Sequence, residues 1–124
     1  MRDRTLWTWH VFAGLVILVI LGLHMAVMHL DAILGIFNPA GGHPVDWANV
    51  VARAQQTFFA VTYVVLLGAA LFHGLYGLRT IIFELGIGSG LKTTVSGVLV
   101  LGGLAMFAFG AWAAWASHTL ARTQ

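Results

Sequence analysis

The stretch HGLYGLRTIIFE, residues 73–84, places a histidine, an arginine and a glutamate inside an otherwise apolar segment. Ionisable side chains at membrane depth are costly and ordinarily have a partner or a task. On a helix, Gly77 follows His73 by four residues on the same face, and its missing side chain leaves a flat recess beside the imidazole. A planar macrocycle fits such a recess. Arg79 lies further toward the helix end, where a guanidinium either snorkels to the interface or pairs with a carboxylate such as a haem propionate. Glu84 comes eleven residues after His73, almost three turns, and returns to that face roughly 16 Å further along. Ligand, recess, cation and carboxylate thus descend one helix. Each residue alone also has a plainer role. His73 suits a buried histidine bonded across to another helix, Arg79 a basic residue at a membrane edge, and Glu84 an interfacial charge ending a helix.

The elements that must position these residues follow from composition. The chain has 124 residues, 60% hydrophobic and 8% charged, more apolar surface than a soluble domain of that size can hide. The expected fold class is all-α and integral to a membrane, in a single domain. Three apolar runs, at about residues 6–30, 53–85 and 93–117, are each long enough to cross the hydrocarbon core. Pro39, Gly41, Gly42 and Pro44 break the chain between the first two, and GIGSG permits a tight turn between the last two. Arg2 and Arg4 ahead of an apolar run resemble a signal peptide, but the run is long enough to span and no clear small-residue cleavage site follows. It is expected to be a retained helix. Arg2, Arg4, Arg79 and Lys92 fall on one side, against Arg53 and Arg122 on the other, which favours a cytoplasmic N-terminus. Trp7, Trp9, Trp47, Trp112 and Trp115 fit interfacial belts. Gly97, Gly102, Gly103, Gly110 and Ala114 in the third span suit close helix packing and imply a neighbouring helix.

A net charge of +2, from six basic and four acidic residues, is too small and dispersed for a nucleic-acid surface. With no cysteine, the chain itself holds no disulfide, iron–sulfur cluster or thiolate metal site. Any redox centre must be held by imidazole, and the histidines are at 10, 24, 29, 43, 73 and 118. His24 and His29 lie about 140° apart around the first span and cannot serve one site. His29, beside Asp31, reads as a wetted interfacial side chain, and His43 and His118 as solvated. His24 stands roughly 22 Å above the cytoplasmic edge and His73 roughly 9 Å above Arg79, a difference of about 13 Å. They are not expected to clamp one iron. If both bind haem, two haems are stacked across the membrane and each takes its second histidine from another chain.

The pattern H-x3-G-L-R-x4-[DE], here His73, Gly77, Leu78, Arg79 and Glu84, resembles the second transmembrane helix of the small membrane-anchor, cytochrome b subunits of succinate dehydrogenase (succinate:quinone oxidoreductase). HGLYGLRTII is most similar to the D-type anchors, and the likeness extends to the number, length and direction of the spans. It implies three transmembrane helices that pack with a partner anchor's helices into a haem-binding bundle in the cell (inner) membrane. It implies His73 as an axial ligand of haem b, with Gly77 and Arg79 beside the haem, and one or two haems shared with the partner. Two-haem versions in the family carry one histidine on each of four helices, which assigns the second such role to His24. Met28 stands where a recess-forming glycine would follow His24. Quinone is the implied electron acceptor. In related anchors the start of the first helix supplies a polar quinone contact, which here is His10, with Trp9 packing on the ring and Glu84 nearby. Many relatives have Asp-Tyr where this chain has Glu84 and Leu85. The implied partners are a second anchor subunit, an iron–sulfur subunit and, through the complex, a flavoprotein subunit. The chain is then a non-catalytic subunit. Other readings of the same residues are a haem-free structural anchor, or the anchor of a different quinone-linked dehydrogenase, fumarate reductase or hydrogenase.

Overall fold

The computed structural model describes residues 2–34 and 42–123. Its described elements are all helical: α1 (Arg2–Leu34), α2 (Trp47–Ala54), α3 (Thr57–Glu84) and α4 (Ser89–Ala121). Three stretches are long and apolar enough to cross a membrane, Arg4–Leu30, Thr57–Glu84 and Ser89–Ala121. Part of the expected loop between the first two spans, including Pro39 and Gly41, lies outside the described residues, as do the side chains of Arg2 and Asp31. The short helix α2 was not anticipated. The second span was expected to start at about residue 53, but the chain breaks after α2 at Gln56, which is extended (φ −89°, ψ 121°). Residues 53 and 54 therefore close α2, and the span begins at Thr57.

The middle of the molecule is α3. It packs against α1 on one side and α4 on the other, while α1 and α4 do not pack on each other among the described residues. The long helices therefore form an open layer rather than a closed bundle. The α3–α4 turn depends on Gly86, whose φ of +73° lies in the left-handed region. Its N–H donates to the Phe83 carbonyl at 3.3 Å, and the Leu85 N–H donates to Ile82 at 3.2 Å, satisfying the last carbonyls of α3 as glycine stops commonly do. Glycines let α4 approach closely. Leu75 sits over Gly103, Leu67 over Gly110, and Phe107 over Gly68 of α3. Gly97 and Gly102 meet nothing within 4 Å, so part of the small-residue surface is left to face outward.

Burial is inverted relative to a soluble protein. Among the described residues, the buried apolar ones are Ala13, Ala60 and Ala121, with Pro44, whereas Leu18 and Leu101 are about 70% exposed. The buried polar ones are Asn49, Arg53 and His118. Apolar side chains cover the outside because the surrounding medium is lipid or other helices, with no water to drive them inward.

The buried polar residues form a knot at the end remote from the N-terminus. Breaking the helix between α2 and α3 frees backbone carbonyls, and these need donors where water is scarce. His118 of α4 meets this need. Its Nδ1–H donates to the Ala54 carbonyl at 2.7 Å, and its Nε2 lies 3.3 Å from the Thr57 hydroxyl. Gln55 donates to the Ala121 carbonyl at 2.9 Å, and Arg53 to the Pro44 carbonyl. Asn49 donates to the His43 carbonyl at 3.0 Å. The expectation of a solvated His118 is thus overturned: it is 3% exposed. His43 is exposed, as expected. His118→Ala is expected to orphan the Ala54 carbonyl and destabilise this end by about 1–3 kcal/mol. A lowered thermal midpoint of the detergent-purified protein checks this, and an unchanged midpoint contradicts it.

Candidate functional site

Two histidines meet at the seam between α1 and α3. The imidazoles of His10 and His73 stack with centroids 4.1 Å apart and planes 4° from parallel. His73 reaches this position because residue 14 of α1 is glycine. A Cβ there would lie 3.0 Å from His73 Cε1 and 3.1 Å from Nδ1, tighter than a side chain normally tolerates. The same gap exposes the carbonyl of residue 10, one helical turn before Gly14. His73 Nδ1 lies 3.0 Å from it. A carbonyl only accepts, so Nδ1 carries the proton and donates, and Nε2 keeps its lone pair. An imidazole fixed in this way is ready to ligate through Nε2.

The arrangement is reciprocal. His10 Cε1 lies 3.3 Å from where a Cβ on Gly77 would be, and the His10 ring also meets Tyr76, at a centroid distance of 5.2 Å. The recess beside His73, expected to take a planar macrocycle, instead receives the edge of His10 from the neighbouring helix. Projection of α3 by itself could not show this, because it contains no information about α1. Glycine 14 was not singled out in the sequence, yet a signal exists. The spacing H-x3-G occurs twice, as His10–Gly14 and His73–Gly77, on two packed helices, and each histidine seats on the other's glycine.

The descent of ligand, recess, cation and carboxylate down one face also changes. Six residues separate His73 from Arg79, which is about 120° around the helix from the starting face. His73 and Gly77 face α1, whereas Arg79 Nε donates to Ser96 Oγ of α4 at 3.1 Å. The Arg79 guanidinium lies 4.2 Å above the Phe83 ring, and the Lys92 ammonium lies 5.4 Å from that ring's centroid. Arg79 helps line an open cleft of about 640 Å³ between α3 and α4, together with Phe72, Leu75, Tyr76, Ser96 and Gly103. His73 is not among the lining residues.

His24 is half-buried, its ring edge-on to Tyr63 at 6.3 Å and 76°. Tyr63 precedes His73 by ten residues on α3, about 15 Å along the axis, so His24 and His73 occupy different levels of the layer. Trp9 is 57% exposed and packs on Phe12. It points away from the seam that holds His10, so the two side chains expected to share a quinone diverge. Glu84 is exposed and ends α3. Among the described residues no three or more His, Asp or Glu side chains are grouped to hold a metal ion.

Over 104 residues, 84% of this chain and 81% of the relative, the chain is 29% identical to the succinate dehydrogenase hydrophobic membrane anchor subunit of Archaeoglobus fulgidus. The resemblance carried by the His73 motif therefore extends along most of the chain. No family model and no solved structure matches it.

Proposed function

We propose that this chain is a membrane-anchor subunit of a succinate dehydrogenase, or of the closely related fumarate reductase, and that it shares haem b with a partner anchor. The observation that carries the anchor assignment is the similarity along most of the chain to such a subunit. The open layer of three long apolar helices supports it, because outward-facing Gly97 and Gly102 and the α3–α4 cleft leave room for a partner anchor's helices. The chain has no cysteine cluster and no flavin motif, so oxidation of succinate belongs to other subunits. These are a flavoprotein and an iron–sulfur subunit docked on the cytoplasmic side.

The residues present fit a haem. His73 donates from Nδ1 to a backbone carbonyl, which leaves its Nε2 lone pair as the atom that would hold the iron. His24, at a separate level, would supply the axial position of a second haem. Held by two imidazoles, such a haem would supply single-electron transfer rather than oxygen binding. Gly77 acts at one remove, by seating His10 against His73. Arg79, turned toward α4, is a cation for a propionate only if the haem edge reaches the cleft side of α3.

The start of α1, the end of α3 and the start of α4 share one end of the molecule, which brings Arg4, Arg79 and Lys92 together there. The positive-inside rule supports assigning that end, with the N-terminus, to the cytoplasm. Quinone is proposed to bind there, with His10 as a hydrogen-bonding contact and Glu84 at the rim; Trp9, which diverges from His10, is left out of that site. The missing tyrosine after Glu84 leaves the second donor to the partner anchor or the iron–sulfur subunit.

A second reading, a haem-free structural anchor, is favoured by one feature: His73 already makes a cross-helix hydrogen bond within this chain. One purification separates the two. With a tag on this chain, the anchor reading expects flavoprotein and iron–sulfur subunits to copurify with succinate-to-quinone activity. The haem reading further expects a b-type reduced-minus-oxidised spectrum. Copurification without that spectrum leaves the structural anchor. Absence of the partners removes both.

A further inference from the structure

We propose that Gly14 and the backbone carbonyl of His10 form a positioning dock that sets the protonation and aim of His73. The inference rests on the reading of His73 as a haem ligand and adds to it which residues make it a strong one. Three observations converge. A Cβ at residue 14 would come within 3.0–3.1 Å of two atoms of the His73 ring, so glycine is what lets the ring approach. His73 Nδ1 is 3.0 Å from the His10 carbonyl, and that carbonyl is fixed by the α1 helix rather than by a mobile side chain. The His10 ring stacks on His73 within 4° of parallel, with its own edge against Gly77, which holds the His73 plane from the side.

A backbone carbonyl accepting from Nδ1–H makes an axial imidazole more electron-rich and fixes its rotation. A more electron-rich ligand favours oxidised over reduced iron. The dock therefore lowers the midpoint potential of the haem held by His73. Because the acceptor is main chain, it survives any change of the His10 side chain. Gly14 is the position where a single methyl group, 3.0–3.1 Å from two ring atoms, makes the ring shift by a few tenths of an ångström against the carbonyl.

The test uses the complete complex carrying Gly14→Ala. Gly22→Ala is the control, since Gly22 lies on the same helix and meets nothing within 4 Å. Haem content is measured by haemochrome and the midpoint potential by redox titration of the b-type band. Gly14→Ala is expected to reduce haem content and raise the potential of the haem that remains, while Gly22→Ala changes neither. Unchanged content and potential in Gly14→Ala overturn the proposal. A second measurement needs no variant. Electron–nuclear double resonance of the oxidised unsubstituted complex is expected to show an axial-imidazole Nδ1 proton that exchanges slowly with deuterium, and rapid exchange of every such proton overturns the dock. A complex with no b-type band at all defeats the haem reading itself, an outcome distinct from a haem that is present but indifferent to Gly14.

Discussion

His73→Ala is expected to remove the haem signal that depends on this chain and to depress succinate-to-quinone electron transfer, while succinate oxidation with a soluble dye persists. The structure sharpens the reason. His73 Nδ1 is held by the His10 carbonyl, so Nε2 is the atom left to donate, and alanine has no substitute for it. The substitution also removes the ring on which His10 stacks and the donor to its carbonyl. Haem content per complex, read beside dye-coupled and quinone-coupled rates, separates the effects. Haem retained at the level of the unsubstituted complex rules His73 out as a ligand. Loss of dye-coupled activity as well points to failed assembly rather than a missing axial donor.

The second large effect is expected from Gly77→Leu. From the α3 sequence alone, the side chain would fill a space meant for porphyrin. The structure gives a different route to a similar loss. A Cβ at residue 77 already comes within 3.3 Å of His10 Cε1, so leucine must drive His10 from its seat and unstack it from His73. A ligand disturbed through its supporting neighbours typically loses metal affinity by about 10–100-fold. Haem retention after detergent purification should fall accordingly, with the remaining haem spectrally heterogeneous. Gly77→Ala should be far milder, because 3.3 Å is a contact that a few tenths of an ångström relieve. Normal haem retention in Gly77→Leu means that the seam tolerates displacement of His10 and that the reciprocal seating is incidental.

Much of the fold was legible because apolar length is a one-dimensional property. The three runs and the Gly86 turn are local in sequence and appear near their expected places, and of the glycines expected to pack α4 closely, Gly103 and Gly110 do so while Gly97 and Gly102 do not. The short α2 was not legible. Its boundary depends on His118, Gln55 and Thr57 satisfying freed backbone groups from elements far apart in the chain. His118 was misjudged for the same reason, since a histidine near a helix end looks solvated until the broken backbone it serves is known. At the candidate site, His73 and Gly77 could be placed on one face by counting. The angular offset of Arg79 could also have been counted, and its turn toward Ser96 follows from it. The partnership of His10 with Gly77, and of His73 with Gly14, needed knowledge of which helix lies against which.

The open order of the layer has a consequence for biogenesis. α3 and α4 are joined by the four residues Leu85 to Gly88 and can settle as a helical hairpin almost as soon as both are made. The partner α1 is made first and, among the described residues, packs on α3 and not on α4, and about 50 residues separate the end of α1 from the end of α3. At ribosomal rates of about 5–20 residues per second, α1 waits in the bilayer for roughly 3–10 s before its neighbour is complete. Through that interval His10 has no glycine to seat on, and its carbonyl has no imidazole to receive. If His73 holds haem as proposed, closure of the α1–α3 seam would complete its hydrogen bond, and cofactor loading would be timed by the meeting of two helices rather than by the synthesis of either.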